Sequence, residues 1–266
     1  MRYLRIVVVI LAIAVTLLRI VLFIAKSDID VAPTINCDKD VIAVKCSDGD
    51  EEILRGVTAF DEQDGDITDK LYVERMYYMV GENKSRVKLV VIDSDNNVTK
   101  LTKDVIYTDY KKPEFFLSSD LVFEINDKTR IASLFTAEDC FDGDITNRIR
   151  LISNSYNSTK PGVYNLTARV SNTHGDITEL NFKMRVISEP FSVKLKLKEN
   201  LIYVKPGEKI DYKSYLDSGS KRDDIEIDTS ELDKNKDKPG CYAVTYSVKE
   251  DETIVGFTQL FVVVGE

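Results

Sequence analysis

The chain of 266 residues is 43% hydrophobic and carries a formal charge of -9; its first 25 residues hold three arginines and no acid, leaving 33 basic and 45 acidic residues beyond them. That acidic excess excludes the clustered cations that a phosphate backbone requires, so no nucleic-acid partner is expected, and the apolar content excludes a disordered chain. A single histidine, His174, excludes histidine-dependent triads and multi-histidine metal centres. In chain order, Arg2 and Arg5 precede an apolar run from Ile6 to Leu18, then Arg19, then a second run from Ile20 to Ala25. About 20 apolar residues suffice as a helix to cross a bilayer, and arginines without acids put the N-terminus inside. Residues 1–26 are therefore expected to be an uncleaved signal anchor, a single-pass transmembrane helix with the chain from Lys26 outside the cytoplasm. A cleaved signal peptide competes, because 13 uninterrupted apolar residues also suit an h-region, but Ala25 is the lone small residue of Leu22–Lys26.

Beyond that segment the chain repeats itself. Asp64-Gly65-Asp66-Ile67-Thr68 returns 78 positions later as Asp142-Gly143-Asp144-Ile145-Thr146, and Lys160-Pro161-Gly162-Val163-Tyr164 returns at the same interval as Lys238-Pro239-Gly240-Cys241-Tyr242. Pro33, Pro113 and Pro190 open units of similar length, giving domains over 31–109, 110–187 and 188–266, the last divergent. Tyr164, Leu166, Ala168 and Val170 alternate with polar residues, as do Tyr242, Val244, Tyr246 and Val248, and Val193, Leu195 and Leu197 alternate with lysines. This period of two marks strands with one buried face. Asp93–Asn97 and Asn172–Asp176 separate such strands as hairpin loops, with His174 at a loop tip. Tyr164 and Tyr242 each stand two residues before an inward apolar position, the spacing of a corner tyrosine in an immunoglobulin-type sandwich. An inter-sheet disulfide is not expected, because Leu166 and Val244 occupy that inward position. The fold class is all-β: three tandem immunoglobulin-like β-sandwiches after one N-terminal transmembrane helix.

The D-x-x-D-G-D-I-T string of Asp61–Thr68, its counterpart Glu138–Thr146, the K-P-G-x-Y string and the D-S-x-x-N loop of Asp93–Asn97 together resemble the bacterial immunoglobulin-like domains found in tandem on Gram-positive surface proteins, a group also present in an insecticidal crystal toxin. The resemblance spans about residues 31–266; the first unit lacks Pro-Gly-x-Tyr and the third lacks Asp-Gly-Asp. It implies an extracellular sandwich acting as spacer, adhesin or binding module, and no catalysis.

Two readings stand for the acidic loops. Asp61, Asp64 and Asp66, and Glu138, Asp139, Asp142 and Asp144, could supply oxygens to calcium. Alternatively they are Asp-Gly turns whose carboxylates cap their own amides before strands that begin at Ile67 and Ile145. Cys37 and Cys46 share a unit and could pair, whereas Cys140 and Cys241 are expected as half-buried thiols. Tyr77, Tyr78 and Tyr110 could stack on a sugar. The expected function is a membrane-anchored extracellular binding or adhesion module for a cell-wall or surface ligand, glycan or protein. A non-binding stalk, its units nearly end to end on short linkers, is the alternative, and an accessory or hydrolytic protein the third. Ligand contact is expected in the last unit.

Overall fold

The computed structural model describes residues 2–27, 31–77, 83–152 and 156–265. A helix, α1, covers Arg2–Ser27. Its side chains from Ile6 to Leu22 are all exposed, so that stretch buries nothing against the described residues. Among the described residues, no helix is long and apolar enough to cross a membrane. The helix is therefore as expected, whereas the full span over 1–26 is not found.

The remainder is β structure in two compact units, 1–110 and 111–266. In the first, strands β1 (Thr34–Cys37), β3 (Val57–Asp61) and β4 (Gly65–Asp66) form one sheet. Strands β2 (Val41–Val44), β7 (Val98–Tyr107), β6 (Lys84–Ile92) and β5 (Tyr72–Tyr77) form the other, in that order, with β2 parallel to β7. Val57, Ala59, Val87, Leu89, Val91 and Val105 supply a core between the sheets, each 3% exposed or less. The second repeat copies this arrangement strand for strand. Sheet β8-β10-β11 (Glu114–Leu117, Phe135–Asp139, Gly143–Asp144) faces sheet β9-β14-β13-β12 (Val122–Glu124, Ile177–Ile187, Gly162–Ser171, Arg150–Ile152), with β9 parallel to β14. The period-two expectation holds on β13, where Leu166, Ala168 and Val170 are buried, and both hairpin loops fall where expected.

Two local expectations need correction. Ile67 and Ile145 do not begin strands; each is buried at the head of a 3-10 turn, Thr68–Lys70 or Thr146–Arg148, and the next strand starts at Tyr72 or Arg150. The lysine-alternating segment at 193–198 buries Leu195 yet forms only isolated bridges, Val193 with Gly256 and Leu197 with Leu216. Val193 N–H donates to Val255 O of the strand Thr253–Val264, but the backbone further along bonds to 3-10 turns, Tyr212–Tyr215 and Ser218–Ser220: Lys198 N–H donates to Tyr215 O and Lys196 N–H to Ser220 Oγ. Alternating burial needs only an extended chain, whereas a strand also needs an extended partner.

The third repeat is accordingly half a sandwich: one sheet, β15-β18-β17-β16 (Leu201–Val204, Thr253–Val264, Gly240–Glu250, Glu226–Asp228). One face, with Val244, Tyr246, Val248, Leu260 and Val262, is covered by Leu195, Leu216 and Leu232 of its own loops. The other face, with Leu201, Ala243, Phe261 and Val263, belongs to the core of the second repeat. There β9 pairs only with Arg185–Ile187 of β14, so the earlier part of β14 is an open edge, which the third sheet closes. An edge-to-face series of rings, Phe115, Phe135, Phe182 and Phe261, runs through the junction with centroids 6.4, 5.2 and 5.0 Å apart. Tyr203 Oη accepts from Phe115 N–H at 2.6 Å and donates to Phe115 O at 3.3 Å, satisfying the edge of β8. Units two and three therefore share a core and do not stand end to end.

The first repeat manages the same edge differently. The position of Phe182 on β14 is taken on β7 by Lys103, as the matched hairpin bonds Asp93 N–H to Asn97 O and Asn172 N–H to Asp176 O set the register. Lys103 Nζ donates to Lys39 O at 2.7 Å and Cys37 O at 3.4 Å, closing the side with a charge that needs no neighbouring sheet.

Candidate functional site

The Asp-Gly-Asp loops are wired alike in the first two repeats. Asp61 Oδ1 accepts from the amides of Gln63 and Asp64, both at 2.8 Å, and Asp139 Oδ1 from those of Phe141 and Asp142 at 2.9 and 3.1 Å. Asp64 then reaches the β6–β7 hairpin, accepting from Ser94 N–H at 2.8 Å and Oγ at 2.7 Å, and from Lys70 Nζ at 3.1 Å. Asp142 does the same on the β13–β14 hairpin with Thr173 N–H and Oγ1, at 2.7 and 2.6 Å, and with Arg148 at 2.6 Å. Asp66 and Asp144 accept from the amides of Thr68 and Thr146, whose hydroxyls accept in turn from Ala59 and Ala137. The motif thus latches a loop of one sheet to a hairpin of the other. Gly65 and Gly143 supply the turn at φ +77° and +66°, values that residues with a Cβ rarely adopt.

These bonds stabilise the charged carboxylates. Ser94 and Lys70 hold Asp64 below the ordinary range, and Thr68 and Thr146 do so for Asp66 and Asp144. Burial works to raise Asp142, but Thr173 and Arg148 outweigh it and bring it down. Of the seven carboxylates put forward for calcium, Asp61, Asp64, Asp66, Asp139, Asp142 and Asp144 accept bonds from the protein, and Glu138 lies exposed on β10. Among the described residues, no group of three or more His, Cys, Asp or Glu is placed to hold a metal ion.

Both corner tyrosines behave as their spacing predicts: Tyr164 Oη donates to Lys160 O at 2.8 Å and Tyr242 Oη to Lys238 O at 3.1 Å. The glycine of the same string is not equally demanding in the two copies. A Cβ on Gly240, at φ +156°, would lie 2.8 Å from Tyr242 Oη, whereas one on Gly162 would meet Tyr164 at 3.6 Å. Gly240→Ala is expected to cost about 1–3 kcal/mol and Gly162→Ala less than about 1 kcal/mol, a contrast that thermal unfolding of the two variants would measure.

The other candidates separate. His174 lies in its hairpin turn, stacked on Phe141 with centroids 4.0 Å apart. No disulfide joins any of the four cysteines, and Cys140 and Cys241 are half-buried; burial pushes the Cys241 thiol well above its ordinary range. Tyr77 carries the Arg75 guanidinium over its ring at 5.3 Å, Tyr110 is half-buried, and Tyr78 lies outside the described residues. In the third repeat, which lacks Asp-Gly-Asp, the loop before Glu226 holds a two-bonded Arg222–Asp224 pair.

Sequence reasoning missed the cleft where repeats two and three meet. It has a volume of about 460 Å³ and is walled by Ser118, Ser119 and Asp120 from one repeat and Phe191, Phe257 and Thr258 from the other. Half-buried Asp120 accepts from Thr258 Oγ1 at 3.0 Å across the junction and from Ser119 Oγ at 3.4 Å. Neither partner is a cation, and burial raises its carboxyl above the ordinary range. The uninterrupted apolar run Leu260–Val264 was the available signal, since a strand buried on both faces loses its alternation.

The fold and its latches define a chain of tandem β-sandwich repeats. No protein-family model matches it. Among curated proteins it is distantly similar to the pesticidal crystal protein Cry22Aa of Bacillus thuringiensis, 27% identical over 136 residues, and the match covers 50% of this chain and 19% of that protein. Solved structures with some likeness include the lipoprotein BT2262 of Bacteroides thetaiotaomicron, 23% identical with a TM-score of 0.25 over 31% of this chain and 42% of that one. A structure of CBM51-2 with GlcNAc and INT domains of Clostridium perfringens ZmpB is 15% identical, TM-score 0.24, over 87% and 41%. Drosophila N-cadherin EC1-4 is 12% identical, TM-score 0.25, over 90% and 76%.

Proposed function

We propose that the chain is a membrane-anchored extracellular protein whose immunoglobulin-like repeats bind a cell-wall or surface ligand, a glycan or a protein, without catalysing a reaction. The observation that carries this reading is the cleft between the second and third repeats, which exists because the two pack side by side. A stalk gains reach by setting units end to end, and this junction gives that reach up. The corner tyrosines and the parallel pairings β2–β7 and β9–β14 support the immunoglobulin-like assignment. For the anchor, the support is the apolar sequence from Ile6 to Ala25 with one internal arginine, together with described side chains over Ile6–Leu22 that no part of the protein covers. Arg19 is near enough to the outer end for its stem to snorkel toward Lys26.

Co-sedimentation of the full chain, held in a sugar-free detergent, with sacculi of the source organism tests the binding. Sedimentation is expected with and without a calcium chelator, because the loop carboxylates already accept bonds from the protein. Loss of binding on chelation would make the Asp-Gly-Asp loops calcium sites, and no sedimentation in either condition would leave the stalk.

A further inference from the structure

We propose that the cleft between the second and third repeats is a saccharide site that takes one or two pyranose rings of a neutral glycan, with Asp120 and Phe191 as its principal contacts. The inference rests on the binding reading above and gives it a place and a ligand class. Volume and position agree: small-ligand clefts run to about 300–1,000 Å³ and favour junctions between domains, and this one holds about 460 Å³.

The lining matches the two chemistries of a sugar ring. Phe191 is half-buried, its ring tilted 37° against Phe257 at 6.1 Å, while the other neighbour of Phe257 is the Arg185 guanidinium at 4.4 Å. Phe257 is held from both sides and only 7% exposed, so Phe191 is the ring left to meet the apolar face of a sugar. In the same cleft, Asp120 Oδ2 is engaged by Thr258, whereas Oδ1 has, among the described residues, only the long 3.4 Å bond from exposed Ser119. A desolvated carboxylate with an open lone pair accepts strongly from a hydroxyl, and two adjacent sugar hydroxyls would supply what Ser119 does not. Glu124, Asp127, Lys194 and Lys196 also line the cleft, two of each sign, so its rim does not select for a charged sugar.

The junction makes the site composite. Asp120 is contributed by the loop between β8 and β9, and Phe191 by the segment leading into the third repeat, so neither repeat has the site alone.

The test uses the full chain in a sugar-free detergent and, as probe, a panel of neutral oligosaccharides (cello-, malto- and N-acetylchito-oligosaccharides), read by saturation-transfer NMR and titration calorimetry. Binding is expected, with affinity at least tenfold lower in Asp120→Asn and in Phe191→Ala. Asp120→Asn keeps the shape of the side chain, so it remains informative if Phe191→Ala fails to fold. Unchanged affinity in a folded variant of Asp120 overturns the site. If the wild-type chain sediments with sacculi but ignores every neutral oligosaccharide, the ligand class is wrong while the binding function stands; if it does neither, both fall.

Discussion

A chain ending at residue 187 is expected to lose the cooperative unfolding of its second repeat, with exposed apolar surface detectable by dye binding and by aggregation. Removing the third sheet takes Leu201, Ala243, Phe261 and Val263 out of a core that also holds Phe115, Leu180, Phe182 and Met184. A fully buried large apolar side chain is worth about 1.5–3 kcal/mol, so uncovering two or three of them costs an amount comparable to the ~5–15 kcal/mol that holds a whole domain together. Phe261→Ala alone is expected to cost about 3–5 kcal/mol and to lower the transition of both repeats together. Leu89→Ala, in the core of the first unit, is expected to leave that transition unmoved. Calorimetry on the two variants decides the matter; a second repeat that keeps its midpoint when cut at 187 would refute the shared core. Loss of ligand binding on deleting 188–266 is therefore no test of contact by the last unit, because the deletion also opens the second.

The second large effect concerns Asp139, which is 7% exposed. Asp139→Ala strips the acceptor from two loop amides and from Asn172 Nδ2. Leaving buried donors unsatisfied costs about 1–3 kcal/mol each, so a loss of about 2–4 kcal/mol in the second unit is expected, and Asp61→Ala should act likewise on the first. A denaturant midpoint that barely moves would mean the latch contributes nothing. The latch also sets an acid limit. Asp64, Asp66, Asp142 and Asp144 have folded-state pKa values held below their unfolded ones, so the stability they add is present above the unfolded value near 4 and is lost as pH falls through the folded values. Unfolding followed below pH 4 should show the decline, and Asp142→Asn should flatten it.

The repeat, the hairpins and the corner tyrosines were legible in the residues because each is local. Asp93 and Asn172 make their turns with residues no more than four away, and Tyr164 and Tyr242 bond four residues back. The acidic loops were half legible. Their turn character follows from Asp-Gly, but the latch does not, since Asp64 and Ser94 are 30 residues apart and nothing in either string names the other. The alternation of Val193–Lys198 predicts one more strand in the third repeat, and the structure forms only isolated bridges there. Alternation reports which side chains are buried and is silent on whether the backbone finds a strand to pair with.

From its residues alone the chain declares three β units after an apolar helix, with the turns and corners that delimit their strands, because periodicity, turn chemistry and repeat spacing act over a few residues. Which units stand apart and which merge was decided only by the tertiary structure. One side chain on equivalent strands marks the difference: Lys103 closes the first repeat on its own carbonyls, and Phe182 leaves the second open until Phe261 covers it. A lysine and a phenylalanine can each end a sheet edge, the one by hydrogen bonds within its own repeat and the other only against apolar surface supplied from elsewhere. The cleft with Asp120 and Phe191 follows from that second choice.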